Sequence, residues 1–408
     1  MDPTLRPTIE RAPTAFAVGI ARRRSPATWV LLAMNVTMYL YELYNGAPDY
    51  SPALIRMGAL MRERVLAGEV WRLVTCTFLH ASWLHLGFNM MVLFGLGTML
   101  ERILGTWRFL LLYGLSALGG SVGSLIFTHG LSVGASGALW GLMTAQFVLA
   151  LRSGGILPEP LRVRMRAGAM QNLMLNIVNS MLPGVDWAAH AGGGTVGAIL
   201  GAVGLLTWGL PRWAAFGPGE DAGPDRVPAL VVLGSLATSG LLVLGLVAGV
   251  VLGRVDVLSA APTLSPRHVA TSGWTVDVPA ALTTSEGTGD DVAFGDLETD
   301  PVVVEVVVSS FDPLADEADL APLPSQLATQ MAQAENGFSI LGGVQNTVVD
   351  GVTVLDGDYL GPNGYKLHRA LAIRPYGVAR VDVLYGAGAP GTWTGIGRTV
   401  ALSARRTP

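Results

Sequence analysis

Long apolar runs separated by short polar breaks fill the first 250 or so residues, and then the pattern changes. A helix that crosses a bilayer needs about 20 mostly apolar residues. Seven stretches meet or approach that length: 27–45, 83–103, 107–128, 136–152, 169–184, 189–209 and 228–252. The fifth is the least apolar, because Gln171, Asn172, Asn176 and Asn179 interrupt it. Residues 46–82 are too polar to cross, but Trp71, Phe78 and Trp83 suit an interfacial hairpin. Residues 1–26 are rich in Pro and Arg with no apolar period, and read as disordered. Residues 211–227, rich in Pro, Gly and Asp, read as a linker. Beyond residue 253 the period becomes that of strands. Trp274-Thr275-Val276-Asp277-Val278 alternates, Val302 to Val308 is almost all valine, and 351–355 and 379–384 are strand-like. Residues 320–336 read as one helix. The pattern predicts an α-helical polytopic membrane bundle followed by a small soluble α+β domain over 253–408.

Composition agrees. Half the residues are apolar and 14% are charged, with a mean hydropathy of +0.47. Charge divides unevenly. Residues 1–252 hold 17 arginines against 12 acids, whereas 253–408 hold 9 cations against 18 acids. The two parts are expected in different compartments. Arg22, Arg23 and Arg24 precede the first span and place the N-terminus in the cytoplasm by the positive-inside rule. Alternation then puts Arg102 and Arg108, the Arg152–Arg166 group, and Arg212 and Arg226 inside as well. The expectation is a multi-pass plasma-membrane protein with its acidic C-terminal domain outside. A signal peptide is the other reading of the arginines, but the leader is long and no small-x-small site follows Tyr41. Lys366 is the only lysine, an arginine bias typical of GC-rich, bacterial coding. The single Cys76 excludes an internal disulfide framework and a Cys-rich metal site. The C-terminal part carries no catalytic or metal signature: its acids are scattered, and His268 and His368 are far apart in sequence. No metal, cofactor or nucleic acid is implied.

The chemistry lies in two short strings within apolar runs. Gly134-Ala135-Ser136-Gly137-Ala138-Leu139-Trp140-Gly141 holds a serine, and His190-Ala191-Gly192-Gly193-Gly194-Thr195-Val196-Gly197 holds a histidine. A serine and a histidine held together make a nucleophile and its general base. The glycines let two helix backbones approach closely enough for those side chains to meet. Spans two, four and six all start outside, so His80, His85, Asn89, Ser136 and His190 fall at a similar depth. His85 and Asn89 are four residues apart on one helix face. With the backbone N–H of Ser136 they form a donor set suited to an oxyanion. His80 joins that face if the helix extends back to it. Each residue alone also reads as helix packing or an interhelical hydrogen bond. Their joint occurrence in lipid, where polar groups are costly, favours a site. Asp186, four residues before His190, reads as a loop residue, which leaves a Ser–His dyad.

In order along the chain stand Trp71-Arg72, His80-x4-His85-x3-Asn89, Glu101, Gly-x-Ser-Gly-x-x-x-Gly at 134–141 and His-x-x-Gly-x-x-x-Gly at 190–197. On these motifs residues 27–210 resemble the rhomboid intramembrane serine proteases. The resemblance implies a six-helix core over 27–210 with a seventh helix at 228–252, a six-plus-one arrangement. It implies Ser136 as nucleophile, His190 as base, and His85 and Asn89 as oxyanion donors. It also implies Trp71-Arg72 in a loop structure entering the outer leaflet, and Trp140 stacked beneath the histidine. The supporting positions are His80, Gly134, Gly137, Gly193 and Gly197. Substrates would be transmembrane proteins with helix-breaking residues near the cut and a small residue before it. Two other readings remain at this stage. One is an inactive relative that binds membrane clients. The other is a transporter, which predicts inverted repeats and paired buried carboxylates; Glu101 is the only buried-acid candidate in the sequence.

Overall fold

Helix α1 (Pro26–Tyr44) begins where a proline fills the first turn and a distant acid supplies the missing cap. The Glu101 carboxylate accepts from the backbone N–H of Ala27 at 3.0 Å and of Thr28 at 2.8 Å, and from the Thr28 hydroxyl at 2.7 Å. The structure, a computed structural model, describes residues 20, 23–45, 47, 51–152, 156–210, 225–253, 261–269, 273–282, 291–296, 300–311, 321–333, 337–386, 389 and 391–406. Most of the 1–26 segment and of the 211–227 linker therefore lies outside the described residues. Contacts divide the chain into two units, 1–44 with 54–253, and 45–53 with 254–408.

Where a hairpin is expected before the second long helix, the first unit instead has short helices α2 (Ser51–Met57), α3 (Arg62–Leu66) and α4 (Arg72–Thr75). Arg72 explains the difference. Its buried guanidinium donates to the carbonyls of Ile55 and Ala59 and pairs with Glu69, tying the segment into a knot rather than a ladder. Then follow α5 (Trp83–Leu104), which has a π-helical turn at Leu93–Gly97, α6 (Thr106–Phe127), α7 (Ser136–Arg152), α8 (Glu159–Ser180), α9 (Trp187–Ala202) and α10 (Ala229–Leu252).

Two expected boundaries move. Helix α8 begins at Glu159 rather than 169 and ends at Ser180 rather than 184. Proline at its start favours a helix N-terminus, and Arg162, Arg164 and Arg166 limit a span without breaking a helix. Helix α9 ends at Ala202 rather than 209, because Gly204 and Gly209, both at φ +77°, turn the chain. Among the described residues, α5, α6 and α10 are long and apolar enough to cross a membrane. The other long helices are shorter or more polar. The first unit is thus a helical domain in which three helices have the length and apolarity of membrane spans.

Glycine sets the packing of α9 against its neighbours. A Cβ on Gly193 would stand 2.0 Å from the Gly137 carbonyl oxygen of α7, and one on Gly197 2.0 Å from that of Gly141. On the α6 side a Cβ on Gly192 would meet the Gly119 oxygen at 2.3 Å. Only glycine fits these contacts.

The second unit is strand-rich. Its elements are β1 (Leu264–Val269), β2 (Trp274–Pro279), β3 (Asp291–Phe294), β4 (Val303–Ser310), α11 (Leu323–Met331), β5 (Ser339–Val349), β6 (Val352–Leu360), β7 (Lys366–Arg374), β8 (Gly377–Tyr385), α12 (Gly391–Thr394), α13 (Gly397–Ser403) and β9 (Arg405–Arg406). They form an antiparallel six-stranded sheet in the order β3-β4-β8-β7-β6-β5, and a three-stranded sheet β1-β2-β9. Alternation decides which faces are buried. Val304, Val306 and Val308 of β4, Val381 and Val383 of β8, and Trp274, Val276 and Val278 of β2 share one core with Trp393 and Val400. The β5–β6 turn uses Asp350 (φ 50°) and Gly351 (φ 80°), the left-handed pair a tight hairpin needs. Strands expected at 274–278, 302–308, 351–355 and 379–384 are present; β1, β3, β5, β7 and β9 were not anticipated.

Candidate active site

Helices α5, α7 and α9 bring their N-terminal turns to one cavity of about 910 Å³, lined also by α8. Ser82 caps α5, its hydroxyl accepting the His85 N–H at 3.2 Å. His80 therefore precedes the helix, which starts where the apolar run put it, and the condition for His80 to share the face of His85 and Asn89 is not met. His80 is fully buried, its backbone N–H donates to the Glu42 carboxylate at 3.1 and 3.2 Å, and its ring meets that of His85 edge-on at 5.1 Å.

His85 and Asn89 both face Gly134, which sits at φ +124° two residues before Ser136. A Cβ there would lie 2.8 Å from His85 Nε2 and 3.5 Å from Asn89 Nδ2, so glycine admits both side chains. The Gly134 N–H donates to the Cys76 carbonyl at 2.8 Å and fixes the segment leading into α7. Asn89 is buried, and its Nδ2 has no hydrogen-bond partner among the described residues.

Ser136 opens α7, and His190 stands in the first turn of α9. His190 Nε2 lies 2.9 Å from Ser136 Oγ. The Trp140 ring stacks on the imidazole, 5.4 Å between centroids and 22° between planes. Gly137 lies against Gly120 and the Ala189 carbonyl. These helix contacts carry Ser136 to His190.

Two residues missed in the sequence complete the picture. Ser180, at the end of α8, lies 2.6 Å from the other imidazole nitrogen of His190. Glu42 is a second buried acid among the described residues of the helical unit, so Glu101 is not the only one there. Glu101 caps the start of α1, whereas Glu42 lies in its last turn against His80, so the two do not form the paired carboxylates of the transporter reading. Asp186 caps α9 instead of touching the imidazole. Its carboxylate accepts from the N–H groups of Ala188 and Ala189 and from the Thr128 hydroxyl, at 3.0–3.1 Å. Burial alone raises this carboxyl, but the Ser124, Ser132 and Thr128 hydroxyls and the Ala189 N–H hold it below its ordinary range.

Trp71 and Arg72 lie away from the Ser–His contact. The Arg72 guanidinium carbon sits 4.7 Å from the centre of the Trp71 ring, and the pair organises the short helices. In the second unit His368 pairs with Asp358 at 2.8 Å and His268 with Thr275 at 3.2 Å. No metal-ligating cluster is found among the described residues.

A family model described as the rhomboid domain matches residues 67–207. RHOMBOID-like protein 5 of Arabidopsis thaliana is 34% identical over 241 residues, which cover 50% of this chain and 77% of that protein. The chain belongs to the rhomboid family. Two bacterial relatives are named as proteases. Rhomboid protease GluP of Bacillus subtilis is 32% identical over 190 residues, 47% of this chain and 36% of that protein. Rhomboid protease AarA of Providencia stuartii is 29% identical over 197 residues, 42% and 70%. This rhomboid thus spans little more than a third of the Bacillus relative. A solution structure of cyanobacterial PsbP from Synechocystis aligns with 36% of the chain at 16% identity and a TM-score of 0.27, too low to assign a fold.

Proposed function

We propose that this rhomboid is an intramembrane serine endopeptidase that cuts membrane proteins in or beside a transmembrane segment. The observation that carries the reading is the 2.9 Å contact between Ser136 Oγ and His190 Nε2 at a cavity large enough for an unwound peptide. His190 takes the Ser136 proton as Oγ attacks the scissile carbonyl. The resulting oxyanion is held by Asn89 Nδ2, His85 and the Ser136 N–H. As the C–N bond breaks, His190 passes its proton to the leaving amine. Water then attacks the acyl-enzyme and gives its proton to His190, which returns it to Ser136 Oγ as the acyl–oxygen bond breaks.

Water and an unpaired peptide backbone are both costly in lipid, so such chemistry needs a polar-lined cavity. Gln146, Asn172, Asn176 and Asn179 line this one, which supports the reading. The helices support a six-plus-one arrangement: α1 and α5 to α9 form the core and α10 is the seventh span. The arginine distribution supports an N-terminus inside and a strand-rich region outside, where it screens or recruits substrates rather than catalysing. Substrates are transmembrane proteins.

A transmembrane reporter co-reconstituted in liposomes tests the activity. Ser136→Ala and His190→Ala are each expected to abolish cleavage, with the double variant no worse, because the pair acts as a unit. Wild-type turnover by folded Ser136→Ala would refute the mechanism.

A further inference from the structure

We propose that Ser180 is the positioning partner of His190, occupying the place that a carboxylate holds in three-residue serine-hydrolase sites. The inference rests on the protease reading of Ser136 and His190, and extends it to a residue on a fourth helix.

The geometry assigns every hydrogen. Ser180 Oγ lies 2.7 Å from the Asn176 carbonyl oxygen, one turn back in α8. A carbonyl only accepts, so the single hydroxyl hydrogen of Ser180 goes there. The same Oγ lies 2.6 Å from His190 Nδ1. With its hydrogen committed, Ser180 can only accept from the ring, so Nδ1 carries the proton. A neutral imidazole protonated at Nδ1 has its lone pair on Nε2, the atom 2.9 Å from Ser136 Oγ. A main-chain carbonyl of α8 therefore selects, through one hydroxyl, the tautomer able to take the nucleophile's proton.

The contact is buried: Ser180 is 9% exposed and His190 7%. The nearby acid does not replace it. Asp186 Oδ1 is committed to Ala188, Ala189 and Thr128, and its charge acts on the imidazole only through space. The other titratable group facing His190 across the cavity is His85 of α5. A neutral hydroxyl supports an imidazolium less than a carboxylate does. Its loss should cost less than the roughly 10⁴-fold of a lost carboxylate partner, and more than nothing.

The full-length protein in liposomes, with Ser180→Ala and Ser180→Thr, tests this. The measurements are kcat and KM against pH on a transmembrane reporter, the rate of fluorophosphonate labelling, and the imidazole ¹⁵N spectrum with His190 assigned. Ser180→Ala should lower kcat and labelling by about 10–100-fold, the ratio that one lost buried hydrogen bond implies, and leave KM little changed. The acid limb of kcat should move to lower pH, because the imidazolium loses its acceptor and the base is freed earlier. Threonine can form the same bond back to Asn176, so Ser180→Thr should recover most of the rate. The wild-type spectrum should report hydrogen on Nδ1.

Wild-type kcat and labelling in Ser180→Ala would overturn the proposal. So would equal losses in both variants with an unmoved acid limb, the mark of a packing role. If the wild-type protein neither cuts nor labels, the protease reading fails, and the spectrum still decides the Ser180 bond: hydrogen on Nδ1 supports it, and hydrogen on Nε2 overturns it.

Discussion

Asn89 is a buried amide donor without a partner among the described residues, placed beside His85 at Gly134, two residues from the serine. Losing one preorganised donor typically costs about 10²–10³ in rate. His85→Ala and Asn89→Ala should each lower reporter turnover by that order, with smaller changes in substrate affinity and normal expression. Collapsed expression in step with activity would mark them as packing residues. At this scale most of the candidate site was legible. Ser136 and His190 stand out because small residues surround each one, and His85 and Asn89 because helical spacing puts them on one face. Ser180 was not legible. It ends an asparagine-rich stretch with no spacing signal, and its contact exists only because the last turn of α8 comes to α9. Whether His80 belonged to α5 was left open by its spacing, and the Ser82 cap decides it. Glu42 gave no signal either, because its partner is a backbone N–H 38 residues away.

Helix contact rather than helix propensity governs the elements of the membrane unit. Gly197 is the sharpest case, since its missing side chain leaves room for the Gly141 carbonyl of α7. Backbone cannot yield as a flexible side chain can. Gly197→Ala should therefore destabilise the protein by about 1–3 kcal/mol or more, as overpacked cores do, and reduce turnover by drawing His190 away from Ser136. Gly168→Ala, on α8 where a Cβ would meet nothing within 4 Å, is the control. It should keep activity and gain about 0.5–1 kcal/mol from the better helix former. Thermal midpoints in one detergent compare the two, and equal midpoints would contradict the packing role of Gly197. Helix positions could be read from the apolar runs. Helix ends could not where a proline or glycine, rather than polarity, sets the boundary, as in α8 and α9. The knot before α5 was read as a hairpin because its cause, the long reach of Arg72 to Ile55 and Ala59, is tertiary.

Taken whole, the chain joins a membrane domain of net charge +5 to a strand-rich region of net charge −9. The proposed topology, seven spans with the N-terminus inside, would put that region outside. Protease added to intact cells, or to spheroplasts where a wall blocks access, should digest residues beyond 253 and spare the helices. Protection of that region while external markers are cut would require an even number of spans. The change of period near residue 253 made the division visible in the sequence. The pairing order of the six-stranded sheet was not visible, because register depends on partners distant along the chain. The most direct test of the central claim concerns the membrane domain alone. Full-length protein in liposomes is treated with a serine-reactive fluorophosphonate, and the adduct is mapped by peptide mass spectrometry. A single adduct on Ser136, lost in both Ser136→Ala and His190→Ala, is the result expected of a serine activated by that histidine. No adduct on folded wild-type protein, or an adduct that survives Ser136→Ala, would contradict it.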